Sequence, residues 1–286
     1  MDELRCLGGG KVKPYRQLLI QACTELWDRE EEPALLFSGG TDSLTILWAL
    51  HDVGARPTCY VFSLEGTESA DLIAARKVCT FQGVTLKEII IPRDLPELKI
   101  QTCRLIMQFQ TARKTAIQCL YPLPYLLNRV RERQVFTGLN ADSWYGTSKS
   151  DAINCSKDPA EFDRRREKRW ADPTIEGFVY WDALVTSWGK QLCCPYRNPE
   201  VVAWLRSKSW PELNRPKQKQ VALDAFALEF SATDVYRTNG SLQCISGIRE
   251  WHDELLHTDL NKRGRIRVAD LYRDILQGQH QPRLIL

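Results

Sequence analysis

Ala34-Leu35-Leu36-Phe37 is a short apolar run of buried-strand type that stops at Ser38-Gly39-Gly40. A helical repeat of Leu44, Ile46, Leu47 and Leu50 opens directly after it, at Thr41 or Asp42. The same alternation then recurs. Residues 57–64 (PTCYVFSL) predict a second strand, and 69–82 a helix with Leu72, Ile73, Val78 and Phe81 on its apolar side. Residues 84–91 predict a third strand that ends in a continuous apolar run, Ile89-Ile90-Ile91. Helical patterns follow over 97–111 and 120–133, the latter after Pro122 and Pro124, and Gln134–Thr137 is a fourth strand stopped by Gly138. Strands alternating with helices require right-handed crossovers, so the expected fold class is α/β: a parallel sheet with helices on both faces.

Residues 13–31 form a helical pattern through Tyr15, Leu18, Leu19, Cys23 and Leu26. From about residue 190 the strand signals fade, and 199–208, 217–230 and 247–257 read as helices. The expected organisation is a helical extension over 1–32, an α/β core over 33–190, and a helical C-terminal part over 191–286 packed on the core. No internal repeat or low-complexity linker interrupts it.

Composition narrows the class further. Of 286 residues, 43% are hydrophobic and 26% charged, which argues against wholesale disorder. No apolar run approaches the ~20 residues of a membrane helix, and no secretory signal is visible before Lys11, so no membrane partner is expected. The formal charge of +3 is too small to argue for nucleic acid or a membrane surface by itself. The 10 cysteines contain no CxxC pair, and only Cys193 and Cys194 are close in sequence. Cys59, Cys79 and Cys119 sit in apolar patterns, so buried reduced thiols of a cytoplasmic protein are expected. A catalytic or sulfur-carrying cysteine is the alternative. His252 and His257 are five residues apart, poor spacing for one helix face or a metal site.

Chemistry concentrates at Ser38-Gly39-Gly40-Thr41-Asp42-Ser43. Open parallel sheets bind ligands beyond the carboxyl ends of their strands. Two glycines let the backbone approach an anion, and the following helix start offers free N–H groups and a positive dipole end. Ser38, Thr41 and Ser43 add hydroxyl donors, and Asp42 can hold Mg²⁺ on phosphate oxygens. The competing explanation is an ordinary glycine turn with a serine cap. The loop is no Walker A motif, because GxxxxGK[ST] is absent.

FSGGTDS resembles the pyrophosphate loop (SGGxDS) of the N-type ATP pyrophosphatases. Further stretches are similar to the synthetase domain of asparagine synthetases and the related β-lactam synthetases. They are Phe62 to Gly66 with Ser69-Ala70-Asp71 and Ala74-Ala75, Lys114 to Leu127, Thr137 to Gly146, and Pro195 to Val202 followed by Lys219 to Phe226. The similarity runs from about residue 33 to about 250. It implies the adenine nucleotide alpha hydrolase-like fold, ATP and Mg²⁺ as cofactors, and an amide-forming ligase. In that reaction a substrate carboxylate attacks the α-phosphorus, pyrophosphate leaves, and ammonia or an amine displaces AMP. Carried over by position, Ser38, Gly39, Gly40, Thr41, Asp42 and Ser43 hold pyrophosphate and metal. Phe62 lies by the adenine, Gly138 by the nucleoside, and Asp142 gives the second metal carboxylate.

The departures from the family are specific. Its glutamate after SG is Leu139, its PFLD aspartate is Asn198, and its late R-x-K lysine is Asn239. Arg237 is therefore the leading candidate for the catalytic cation. Lys217 and Lys219 rank lower, as members of a helix whose polar face is expected in solvent. No glutaminase domain precedes residue 33 and position 2 is Asp2, so the amine is expected from solution or a separate donor. Two basic runs, 163–169 and 262–267, read as solvated faces or as a polyanion surface for tRNA or DNA. Trp144, Trp170, Trp181 and Trp188 read as core or lid packing, with stacking on a flat substrate as the alternative. Two further readings stay open: a related ATP pyrophosphatase acting on a nucleobase or nucleic acid, and a nucleotide-binding protein that has lost catalysis.

Overall fold

A computed structural model describes residues 14–174, 177–236 and 242–278. Five parallel strands form one sheet in the order β3-β2-β1-β4-β5. They are β1 (Ala34–Leu36), β2 (Thr58–Leu64), β3 (Leu86–Ile91), β4 (Gln134–Thr137) and β5 (Gln191–Cys193). Side chains alternate across the sheet, so each central strand feeds two cores. Leu35, Phe37, Cys59, Val61 and Phe136 enter one core, and Ala34, Leu36, Tyr60, Leu64 and Val135 enter the other. The α/β class with helices on both faces is the observed one.

On the first face lie α1 (Tyr15–Leu26), α2 (Thr41–Asp52) and α3 (Ala70–Gln82). The second is covered by α4 (Leu95–Phe109), α5 (Lys114–Leu120) and α6 (Leu123–Leu127). Beyond β4 come α7 (Ala141–Tyr145), α8 (Lys149–Asn154), α9 (Pro159–Ala171) and α10 (Phe178–Ser187). The rest of the chain is helical: α11 (Pro199–Arg206), α12 (Trp210–Asn214), α13 (Gln220–Ala225), α14 (Ala227–Thr233), α15 (Leu242–Ile245), α16 (Ile248–Asp253) and α17 (Val268–Leu276). These helices divide between the faces. Leu205, Ala222 and Phe226 join the first core, and Trp251, Leu271 and Ile275 the second.

Several expectations change. β5 pairs with β4 where the strand signal fades, because three residues are too few to show a period. In the apolar run that ends β3, Ile91 is buried and Ile90 is 65% exposed, on a strand at the edge of the sheet. Of the helix expected over 120–133 only α6 forms, and α5 precedes it in a stretch for which no helix is expected; the two are separated at Tyr121-Pro122, where a proline lacks an N–H. The long pattern over 217–230 likewise divides at Phe226 into α13 and α14.

Both basic runs are mostly exposed, but their arginines are largely paired within the chain. On α9, Arg164 and Arg165 pair with Glu161, Arg166 with Asp163, and Arg169 with Asp151. In the second run Arg263 and Arg265 pair with the buried Asp274. His252 is fully buried and bonded through Nδ1 to the Tyr272 hydroxyl. Burial lowers its pKa to about 3, so it is a neutral core residue. Among the described residues no helix is long and apolar enough to cross a membrane.

Candidate functional site

The strand order reverses between β1 and β4, where an open α/β sheet leaves a crevice. Leu36 is in register with Thr137, so the chain leaves both strands at the same level. The loop after β1 closes through Ser38, whose Oγ accepts from the Gly40 N–H at 3.2 Å and lies 3.3 Å from Ser43 Oγ. Gly39 has φ +67°, and a Cβ there would stand 2.7 Å from Ala74 Cβ on α3. Both conformation and space therefore demand glycine. No side chain caps the start of α2 at Gly40.

The loop after β4 approaches this one closely. A Cβ on Gly138 would stand 2.8 Å from Asp42 Cβ and 3.1 Å from the Asp42 carbonyl carbon. Asn140 takes up a left-handed conformation at φ 72°, and α7 then presents Asp142. Thr147 donates to Asp142 Oδ1 at 2.7 Å.

Lys219 joins the two loops. Its Nζ lies 2.7 and 2.5 Å from the two Asp42 oxygens and 2.7 Å from Asp142 Oδ1. Its side chain is 1% exposed. This overturns the expectation of a solvated helix face. Lys219 is the residue before α13, in a left-handed conformation at φ 59°, with its N–H bonded to Asn214 Oδ1 at 3.0 Å. Asn214 Nδ2 in turn donates to the Tyr145 carbonyl at 2.7 Å, and the ammonium lies over the Tyr145 ring at 5.4 Å. Behind Tyr145, its hydroxyl meets that of Tyr15 from α1, and Tyr196 bonds Thr45 at 2.7 Å. Lys217, by contrast, is exposed, with its Nζ 5.2 Å from the centre of the Tyr236 ring. Arg237 and Asn239 lie outside the described residues.

The charges perturb one another. Burial and the neighbouring Asp142 charge raise the Asp42 carboxyl to about 6, against the opposing pull of Lys219. Burial acts on Asp142 in the same direction, but Lys219 and the Thr147 hydroxyl outweigh it and hold that carboxyl below its ordinary value. Burial would lower the Lys219 pKa, yet the two carboxylates leave it raised. Two carboxylates and one ammonium thus share one site, with a net charge of −1 when all are ionised.

A cavity of about 340 Å³ opens over both loops, large enough for a small ligand. Of the sequence-derived site residues, Ser38, Asp42, Ser43, Phe62, Gly138 and Asp142 line it. Gly39 and Gly40 belong to the first loop but do not line the cavity. Thr41 is 2% exposed and does not line it, so its expected role as a ligand donor is corrected to that of a packed residue. Asp71, Trp181 and Leu139 also line the cavity. Cys119 does too, half-buried in the wall rather than in the core. Trp144 is a core residue, its indole N–H donating to the Tyr196 carbonyl at 3.1 Å. Asn198 accepts from the Glu200 and Val201 N–H groups as the cap of α11.

Among the described residues no group of three or more metal-ligating side chains occurs. A carboxylate pair is nevertheless the donor set that Mg²⁺ uses when substrate phosphates and waters complete its shell. Asp42 and Asp142 already converge on one cation, so their spacing fits a metal once Lys219 moves aside.

A scan against models of protein families returns no match for the chain, and a search of curated proteins also returns none.

Proposed function

We propose that this protein is an ATP pyrophosphatase that adenylates a carboxylate and passes the acyl group to an amine. The observation that carries the reading is the convergence of the two loops: Asp42 and Asp142, 100 residues apart in sequence, grip one buried cation over a single cavity. The substrate carboxylate attacks the α-phosphorus of ATP, giving an acyl-adenylate and pyrophosphate. Ammonia or an amine then attacks the acyl carbon, and AMP leaves with formation of the amide and release of a proton.

The chain's residues supply positioning and charge. Ser38 and Ser43, with the uncapped start of α2, face the pyrophosphate, and Phe62 lies against the adenine. Lys219 exchanges the carboxylates for the β- and γ-phosphates when nucleotide enters, which supplies the cation that Asn239 cannot. Asp42 and Asp142, so released, would hold Mg²⁺, whose charge would offset that of the pyrophosphate. Leu139 leaves the acceptor side without the family's acid, so the amine must arrive as the free base. The nucleic-acid reading gains nothing from the basic runs, whose arginines are largely engaged in internal pairs.

The deciding experiment follows α-labelled ATP with Mg²⁺, ammonium and a panel of carboxylic acids. The expected products are AMP and pyrophosphate, dependent on one class of acid. Formation of ADP, or no nucleotide turnover with any acid, nucleoside or nucleic acid despite ATP binding, would overturn the ligase reading.

A further inference from the structure

The strand order gives the cavity two sides, because β2 and β4 pair with β1 on opposite flanks. Tyr60, Val61 and Phe62 line it on the β2 side, and Gly138, Leu139 and Asn140 on the β4 side. With adenine against Phe62 and the triphosphate over the first loop, the space beyond Gly138 is left to the acid. Three elements build the wall of that space. Leu139 comes from the loop after β4, Gly177 and Trp181 from the start of α10, and Ala116 and Cys119 from α5. α10 packs against both β5 and α5, which brings its first turn to the cavity. Gly177 takes φ +73°, a conformation that favours glycine, so no side chain lies over the indole beside it; a Cβ there would stand 3.9 Å from Trp181 Cδ1.

These five residues carry no charge. Leu139, half-buried, stands where the resemblance expects a glutamate. Trp181 is 7% exposed and otherwise packed in the second core. The Cys119 thiol, 3.5 Å from Gln243 Oε1, stays protonated, because burial pushes its pKa up to about 12. The acids of the cavity lie elsewhere. Asp71 is on α3, which follows β2, and Asp42 and Asp142 meet Lys219 where the two loops join. Among the described residues that line the cavity there is no lysine, arginine or histidine. A second carboxylate or an ammonium on the acid would give up its hydration against this wall without gaining an opposite charge. An apolar body gains by leaving water for the same wall. Resting on the ligase reading, we propose that the acid adenylated here is a monocarboxylic acid with an uncharged, apolar body, seated against Leu139 and Trp181.

The test measures AMP and pyrophosphate formed by the full chain with Mg²⁺–ATP and ammonium. Propanoate, pentanoate and hydrocinnamate are compared by kcat/KM with succinate and aspartate. Each methylene added to a straight-chain acid should raise kcat/KM about fourfold until the space is filled. Hydrocinnamate should exceed succinate and aspartate by about 100-fold, the cost of burying an unpaired polar group. Leu139→Glu puts a charge on the wall, and should raise the KM for hydrocinnamate about tenfold while narrowing its lead over aspartate, whose ammonium gains a partner. Trp181→Leu should raise the same KM, so one folded variant suffices. Succinate or aspartate turned over as well as hydrocinnamate would overturn this inference and leave the ligase reading standing. If no acid is turned over, the ligase reading falls. Calorimetry with hydrocinnamate and a non-hydrolysable ATP analogue then decides whether the wall takes an apolar acid: saturable binding weakened in the variants supports it, and no binding, or binding equal in all three proteins, overturns it.

Discussion

Removing the Lys219 ammonium should leave two carboxylates facing each other without the cation that joins them. In Lys219→Met the stem volume is kept and the charge is lost. Breaking a buried ion pair from one side costs about 3–5 kcal/mol. The Asp42 limb carries most of it, because that side chain is 19% exposed, whereas Asp142 at 59% exposure is screened by water. With a urea slope of about 3 kcal/mol/M, the midpoint at pH 8 should fall by roughly 1–2 M. The loss should shrink on acidification. Asp42 already titrates near 6 with Lys219 present, and without it the carboxyl holds its proton to still higher pH. A carboxyl raised above its unfolded value of 3.8 contributes stability that is complete below that value and disappears as pH rises through the folded one. The Lys219→Met variant should therefore approach wild type between pH 4 and 6. The double variant Asp42→Asn/Lys219→Met should recover most of the stability at pH 8 without recovering nucleotide turnover. Urea titrations of all three proteins at pH 5 and pH 8 decide the matter. An unchanged midpoint for Lys219→Met at pH 8, or a loss of equal size in the double variant, would refute the reasoning.

Two other outcomes test the site. Mg²⁺–nucleotide affinity, measured by calorimetry, should fall about tenfold per pH unit below about 6 as Asp42 takes up its proton; the ATP γ-phosphate titrates nearby, so an equally steep fall in Asp42→Asn would remove Asp42 as the cause. Gly138→Ala forces a Cβ to within 2.8 Å of Asp42 Cβ and must displace one loop; ATP affinity should drop by an order of magnitude or more while circular dichroism stays that of the wild type, and undiminished affinity would show that the loops are not packed as described.

The α/β architecture was legible because its central strands obey simple rules. β1 and β4 are fully buried and read as unbroken apolar or neutral runs, each stopped by glycine. What the sequence hid lies where those rules have little to act on. β5 is three residues long, and β3 is an edge strand whose Ile90 projects into solvent despite an apolar sequence. Chain order carries no information on strand order either. It was the reversal between β1 and β4 that placed two distant loops together, and Leu36 opposite Thr137 is the register that makes them meet.

Within the site, the residues found by pattern were those whose demand fixes the residue type. Gly39 is required by its left-handed φ and a clash with Ala74 on α3, and Gly138 by a clash with Asp42 across the two loops, and such demands leave a glycine in the sequence. The burial of Lys219 was not legible because its causes are entirely tertiary. By composition it belongs to the polar stretch Lys217 to Gln220, which reads as a solvent face. Its burial follows from three distant partners: Asn214 turns its backbone, Tyr145 supports its ammonium, and the two carboxylates receive its charge. The left-handed φ of 59° aims the side chain inward, a conformation that a helix-period reading cannot anticipate. The same network explains why α1 belongs with the site. Tyr15 reaches Tyr145, so an element ahead of the first strand helps fix the ring on which the bridging lysine rests. A cation held this way is pre-organised: it waits on two carboxylates and can be handed to a phosphate without first being ordered.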